Sequence, residues 1–303
     1  MPLFSLDNER KASQIHTKDF SKEKDFQKLC EANLETLFNI RFIASEFNTG
    51  AKHAGRIDTL GLDENGYPVI IEYKKTGSQS IISQGLYYLN WLNDHRGDFQ
   101  VAAQGALGSD VVINWQAPRL ILLAESFSKY DPYAVQDMGL NIELKTYRYY
   151  KNDLLYFDNL YTPPSNVVVS RPRKELKKTE ALEQYDLSHH LGGKPQEVIR
   201  LFEELREAIM SLSDEGNIQE TINKQYLAYK TTRNFCEIVV QAKGLKVYID
   251  IDQGEGFEDP KTVTEDCSAK GHWATGNTRF FLSSEDETDY ALSLIKQAYN
   301  LTL

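Results

Sequence analysis

Hydrophobic and polar positions fall along the chain in blocks that read as the elements of two folded units. Lys22–Phe38 (KEKDFQKLCEANLETLF) sets Phe26, Leu29, Leu34, Leu37 and Phe38 near one stripe, the pattern of an amphipathic helix. Arg41–Phe47 reads as a strand. Arg56–Asp63 and Tyr67–Lys75 carry the β-branched enrichment of two more, joined by the turn Asp63-Glu64-Asn65-Gly66. A long helix is expected from a cap at Ser78–Ser80 to about His95. Arg119–Glu125 (RLILLAE) is a nearly unbroken apolar run, the mark of a strand covered on both faces. A short helix at Asp131–Met138 precedes a hairpin, Asn141–Tyr150 and Asp153–Leu160, turning at Lys151-Asn152. The first 20 residues are polar, lack a period and read as a short arm. The order α-β-β-β-α-β-α-β-β predicts an α/β unit whose mixed central sheet is flanked by helices.

Thr162–Glu180 (TPPSNVVVSRPRKELKKTE) breaks this pattern. Its prolines and the five basic residues of Arg171–Lys178 mark an exposed linker, with a phosphate-tracking strap as the functional alternative. The domains are therefore expected at 1–161 and 181–303, with the linker at 162–180. In the second, smaller α/β (α+β) unit, Pro195–Leu212 reads as a helix with proline at its start. Its stripe is Val198, Leu201, Phe202, Leu205 and Ile209. Strands are expected at Tyr226–Thr231, Cys236–Gln241 and Leu245–Ile251, and a last helix at Asp286–Tyr299. The acidic glycine loop Asp252-Gln253-Gly254-Glu255-Gly256 lacks EF-hand spacing and reads as a surface turn. A recognition or interaction role is expected for this half.

Chemistry concentrates at Gly55–Lys75 (GRIDTLGLDENGYPVIIEYKK). A three-residue loop, Glu64-Asn65-Gly66 with Gly66 left-handed, would set Asp63 opposite Tyr67. Five steps back on one strand and five forward on the other put Asp58 opposite Glu72. Side chains two apart share a face, so Lys74 would point with Glu72 while Ile71 and Tyr73 point away. A two-residue loop would instead put Asp58 opposite Tyr73 and separate the carboxylates. Opposed like charges repel, and a hard dication held by oxygens relieves the repulsion. A lysine beside such a dication can orient or help deprotonate a bound water. In outline this is a hydrolytic site for a phosphodiester. The plain alternative is a Glu–Lys surface pair on a polar face. Pro68-Val69-Ile70-Ile71 argues against it, because the strand before Glu72 has the character of a buried one.

Gln84 and Tyr88 are four apart and share a helix face. Lys52 and His53 lie in the small-residue loop Asn48–Ala54. With Arg56 and Lys75 they are the candidate contacts to substrate, although a loop histidine is more often simply solvent-exposed.

Taken together, Gly55-Arg56-Ile57-Asp58, the Asp63–Gly66 turn, Val69-Ile70-Ile71-Glu72-Tyr73-Lys74-Lys75 and the helix bearing Gln84 and Tyr88 resemble the PD-(D/E)XK nuclease superfamily. The specific likeness is to the nuclease domain of NucS-like (RecB-type) endonucleases, over roughly Lys22–Tyr161. Ile57 stands where the superfamily's name expects proline. The resemblance implies a restriction-endonuclease-like core, Mg²⁺ or Mn²⁺ on Asp58 and Glu72, and DNA, duplex or branched, as substrate. It also implies that Lys74 positions the attacking water and that Gln84 and Tyr88 steady water or phosphate. An early helix acid completes the metal site, with Glu23 matching best and Glu31 second. NucS-like enzymes work as dimers, so a homodimer is implied as well. The second half resembles the uncharacterised α/β domain often attached to such nucleases.

Composition changes this picture in one respect. The net charge of −10 runs against nonspecific nucleic-acid binding over the whole surface, so any basic path must be local. It slightly favours a second reading, a catalytically silent module on the same fold that binds nucleic acid or assembles a repair or defence complex. Intact Asp58, Glu72 and Lys74 argue for the enzyme. Cys30, Cys236 and Cys267 are odd in number and scattered, and read as reduced thiols of a cytoplasmic protein. No apolar run approaches a membrane span, and no G-x-x-x-x-G-K-[ST] loop calls for a nucleotide.

Overall fold

The computed structural model describes residues 2–51, 53–75, 79–163, 185–213, 218–254, 256–269 and 274–302. They form two compact units, one made of the residues up to Pro163 and one of those after 184. From 164 on, the expected basic linker lies outside the described residues.

The first unit opens with a hairpin, β1 (Leu3–Leu6) on β2 (Ala12–Ile15), where the absence of a sequence period suggested an arm. A bridge from Thr17 to Tyr150 then docks the chain on the main sheet. The stripe of Lys22–Phe38 is carried by two helices, α1 (Glu23–Glu31) and α2 (Leu34–Phe38). Asn33, at φ −133° and ψ 22°, breaks the helix, and left-handed Asn39 ends the second piece. Next come β3 (Ile40–Asn48), β4 (Arg56–Asp63), β5 (Pro68–Lys74), α3 (Gln79–Asp94) and α4 (Arg96–Leu107). Helix α4 was not anticipated. Its sequence, RGDFQVAAQGAL, is interrupted by two glycines and buries only Phe99 and Ala103, one turn apart. The unit closes with β6 (Arg119–Ala124), α5 (Asp131–Met138), β7 (Ile142–Tyr150) and β8 (Leu154–Tyr161).

The six strands form one mixed sheet in the order β3-β4-β5-β6-β7-β8. Strands β5, β6 and β7 run parallel, and every residue of β6 is buried, as its unbroken apolar run requires. One face packs Ile70, Leu120, Leu122, Ile142 and Leu144 with Leu89, Trp91 and Leu92 of α3. The other packs Val69, Ile71, Tyr73, Ile121 and Leu123 against Phe26 and Cys30 of α1.

The β4–β5 hairpin holds the register that its turn chemistry demands. Gly66 is left-handed at φ 77°, the Asp63 amide donates to the Tyr67 carbonyl (3.0 Å), and Thr59 faces Ile71. Asp63 is locked from several sides. Its Oδ1 accepts from the amides of Asn65 (3.0 Å) and Tyr67 (2.8 Å), while Oδ2 accepts from Arg119 Nη1 at 2.9 Å. Arg119 is fully buried and also donates to Glu143 Oε1 (2.7 Å), which Lys145 approaches on its other oxygen at 3.2 Å.

The second unit contains α6 (Leu187–Leu191), α7 (Gln196–Met210), β9 (Gln219–Ile222), β10 (Leu227–Lys230), β11 (Asn234–Gln241), β12 (Gly244–Ile249), β13 (Glu265–Asp266), β14 (Thr278–Leu282) and α8 (Thr288–Asn300). Its strands pair antiparallel throughout, in the order β13-β14-β12-β11-β10-β9. The stripes of α7 and α8 fill one core with Ile238, Val247 and Ile249. This is an α+β arrangement. Asp252 accepts from Asn277 Nδ2 at 2.8 Å, and Glu255 lies outside the described residues. All three cysteines are buried and none forms a disulfide. Among the described residues no helix is long and apolar enough to cross a membrane.

Candidate active site

The site sits where the β4–β5 backbone ladder opens. The last paired residues are Thr59 and Ile71, and one further step along that register sets Asp58 against Glu72. There carboxylates replace the backbone ladder. The Asp58 amide donates to Glu72 Oε1 and the Tyr73 amide donates to Asp58 Oδ2, each at 3.1 Å. The two-residue alternation of β4 is interrupted at this point, since Ile57 and Leu60, three apart, share the α3-side core. On the neighbouring strand Glu46 takes a left-handed φ of 54°. Asp58 thus projects along the sheet toward Glu72 rather than standing squarely on one face with it. Glu72 is fully buried, whereas Asp58 is partly accessible.

Helix α3 closes one side. Gln84 Nε2 donates to Glu72 Oε2 at 2.6 Å, and the Tyr88 hydroxyl accepts from the Arg56 amide at 3.1 Å. Gly55 must lack a side chain here, because a Cβ would come within 2.7 Å of the Tyr88 ring. Lys74 is partly buried at the end of β5, and its ammonium makes no hydrogen bond or ion pair among the described residues.

Helix α1 closes the other side. Glu23 Oε2 accepts from the Lys75 amide at 2.9 Å, close enough for its charge to act on Asp58. Glu31 is drawn off instead: its Oε1 accepts from Thr59 Oγ1 (2.7 Å) and Gln27 Nε2 (2.9 Å). The Lys75 ammonium is tied to the Phe20 carbonyl at 2.8 Å, so only its amide borders the site. Arg56 pairs with Glu46. His53 packs its ring on Tyr87 and His95, at 5.6 and 5.0 Å between centroids. Lys52 lies outside the described residues. Beside Arg56, Asn48, Gly50, Ala51, Ala54 and Gly55 line an open depression of about 520 Å³, which adjoins the carboxylates without containing them.

An uncharacterized protein of Haemophilus influenzae is 32% identical over 294 residues, which cover 94% of this chain and 95% of that protein. The chain belongs to that protein's family. Within this family member, a model described as a domain of unknown function (DUF5655) matches residues 188–302, in the second unit. A solved structure, the EndoMS–dsDNA2 complex, aligns over 44% of this chain and 50% of that one, with 19% identity and a TM-score of 0.29. This family member therefore spans half the length of that structure's chain.

The electrostatics of the pair follow from its burial. Desolvation pushes the Glu72 carboxyl well up, and the neighbouring Asp58 charge pushes it further. Asp58 is raised as well, by burial first and then by Glu46 and Glu23. At neutral pH the pair resists carrying two charges, so it holds a proton or takes up a cation. Hard oxygen donors of this kind suit Mg²⁺ or Mn²⁺. The fit rests on two carboxylates with Glu23 beside them. Among the described residues no group of three or more His, Cys, Asp or Glu side chains stands gathered as a preformed metal cage.

Both folded-state pKa values lie above their unfolded values, so the folded protein binds more protons across that window. The contribution of this pair to stability falls as pH rises from the ordinary carboxyl range through the raised values, by at most about 1.4 kcal/mol per pH unit for each extra proton held. Thermal melts in EDTA from pH 5 to 8 should show this decline, and Glu72→Gln should flatten it. The difference between the two proteins isolates the pair, and Mg²⁺ should recover the loss in the wild type only.

Glu46 was not anticipated as a neighbour of the site. A tight turn gives the β4–β5 register by counting. The loop from Thr49 to Gly55 between β3 and β4 offers no such count, although an acid inside a strand facing a candidate catalytic strand was itself a signal. Burial would raise the Glu46 carboxyl, but Lys24 and then Arg56 outweigh it and hold the group low. Glu46 is therefore held ionised by these bases, and its charge adds to the upward push on Asp58.

Proposed function

We propose that the first unit is a metal-dependent DNA endonuclease hydrolysing phosphodiester bonds at Asp58, Glu72 and Lys74. The observation that carries the reading is a pair of carboxyls brought together where a strand ladder opens, one fully buried, at the cost of mutual repulsion. A fold gains nothing from such a pair unless something positive binds it.

Asp58 and Glu72 would hold Mg²⁺ or Mn²⁺, with Glu23 adding a third carboxylate directly or through water. A bound dication supplies charge neutralisation at the phosphate and lowers the pKa of a coordinated water. Gln84 fixes the Glu72 carboxylate through its 2.6 Å hydrogen bond. The ammonium of Lys74, free of competing partners among the described residues, orients the attacking water and takes up part of the charge on the reacting phosphate. Tyr88, by holding the Arg56 amide, steadies the start of the strand that presents Asp58. Arg56 and the open depression beside it border the path of the substrate backbone. Cutting both strands of a duplex would require two such sites, supplied by a pair of copies.

Incubation with single-stranded, duplex, flap and mismatched DNA in Mg²⁺, Mn²⁺ or EDTA tests the reading. Cleavage of at least one substrate in metal, abolished by EDTA, is expected. No cleavage of any substrate in either metal would leave a binding module on this fold.

A further inference from the structure

Helix α1 reaches β4 and the end of β5 through polar side chains spaced one turn apart. Glu23 accepts from the Lys75 amide at 2.9 Å, Gln27 Nε2 donates to the Asp58 carbonyl at 2.8 Å, and Glu31 accepts from Thr59 Oγ1 at 2.7 Å. Gln27 is the buried one of these, 3% exposed, and shares the inner face of the helix with Phe26 and Cys30. Were packing its whole task, a leucine or methionine of similar size would serve. A buried amide must instead find partners for its polar atoms. Gln27 finds them on both ends: Nε2 also donates to Glu31 Oε1 at 2.9 Å, and Oε1 accepts from Lys24 Nζ at 3.1 Å.

Asp58 needs such a hold. The β3–β4 register passes from Ser45 with Thr59 to Phe47 with Ile57, and the level between them, left-handed Glu46 against Asp58, is skipped. On the other side the β4–β5 ladder stops at Thr59 and Ile71. Among the described residues Asp58 therefore has no ladder partner on either side. Hydrogen bonds hold it in place instead. Its amide donates to Glu72 Oε1 and its Oδ2 accepts from the Tyr73 amide, each at 3.1 Å, while its carbonyl accepts from Gln27. The first two run through the very carboxylates that would take up a dication. The Gln27 bond is independent of them, since it reaches the backbone from a separate element. An amide suits this position: a glutamate would set an acceptor against the Asp58 carbonyl beside the Glu31 carboxylate, and a leucine would take the α1 donor away.

We propose that Gln27 is a positioning residue of the candidate site: by donating from α1 to the Asp58 carbonyl, its amide fixes the segment that aims the Asp58 carboxylate at the dication. The proposal rests on the cation-site reading of Asp58 and Glu72 and adds to it a residue that touches neither metal nor substrate. It also gives α1 a second task beside presenting Glu23, because one helix then sets the places of both Glu23 and Asp58.

The test makes two measurements on the full chain. Calorimetric titration should find Mn²⁺ binding about 10–100-fold weaker in Gln27→Leu and Gln27→Glu than in the wild type, the range for losing a group that orients a metal ligand. Hydrogen exchange in EDTA, with no metal present, should find the amides of Asp58 and Tyr73 exchanging faster in both variants while the Asp63 amide at the turn is unchanged. Phe26→Leu is the control for packing. It removes the ring stacked on Tyr147 at 3.7 Å between centroids, and should lower the urea midpoint without altering Mn²⁺ affinity or the exchange of those two amides. Unchanged affinity and exchange in the Gln27 variants would overturn the proposal. So would equal effects in Phe26→Leu, the result a merely structural role gives. A wild type that binds no Mn²⁺, with exchange still dependent on Gln27, counts against the metal reading alone. Mn²⁺ binding indifferent to Gln27 counts against this proposal alone.

Discussion

If the proposed activity holds, Asp58→Ala and Lys74→Ala should each reduce metal-dependent cleavage of DNA by roughly 10²–10³-fold or more, the loss expected when one preorganised group facing a reacting phosphate is removed. Stability should separate this outcome from mere damage to the fold. Asp58 and Glu72 repel each other in a poorly solvated place, so neutralising one of them removes an unfavourable term. Glu72→Gln keeps the shape and leaves Gln84 a carbonyl to bond. It should therefore be inactive and yet, at pH 8 in EDTA, at least as stable as the wild type. A pair that served only to brace the hairpin would show the opposite: lower stability with cleavage affected merely in proportion to unfolding. Cleavage rates alongside urea unfolding curves decide between the two.

Arg119→Met carries the largest expected loss of stability, about 3–5 kcal/mol, the range for breaking a buried ion pair by removing one partner. Arg119 is fully buried, bonds Asp63 at 2.9 Å and Glu143 at 2.7 Å, and has no route to water. Without it Asp63 loses its guanidinium while keeping the Asn65 and Tyr67 amides, and Glu143 keeps Lys145 at 3.2 Å. Such a loss is a large share of the 5–15 kcal/mol that holds a typical domain together. Replacing Asp63, Arg119 and Glu143 together with their buried neighbour Lys145 by apolar residues of similar volume should cost much less, because no charge is then stranded. Activity should suffer beyond stability, since Asp63 closes the turn that sets Asp58 against Glu72. Urea midpoints of the single and quadruple variants, and cleavage by the protein that remains folded, measure both effects.

The parts of the site legible in the amino-acid sequence are those where local chemistry dictates geometry. Asn65-Gly66 after Asp63 admits one economical loop, and from it the pairing of Asp58 with Glu72 follows by counting. The all-apolar run of β6 announces a central strand. Features that depend on distant segments were not legible. The β4–β5 ladder opens at Asp58 beside the left-handed Glu46 of β3, a juxtaposition that no local pattern encodes. The same holds for Lys75, whose side chain was expected at the substrate and instead meets the Phe20 carbonyl. Asn33 divides a stripe that continues across the break, so periodicity alone reads one helix where there are two. In the second unit β9 and β14 went unseen, because QETI and TRFFL are too short to show a period.

In the proposed enzyme, Asp58 and Glu72 form a cation site that holds a proton until a dication displaces it. Calorimetric titration of Mn²⁺ at pH 7 in two buffers of different ionisation enthalpy tests it directly. One binding event per chain is predicted, with an apparent heat that changes between buffers because a proton is released, and with no binding in Asp58→Ala. Absence of binding in the wild type, or equal binding in Asp58→Ala, would contradict the account.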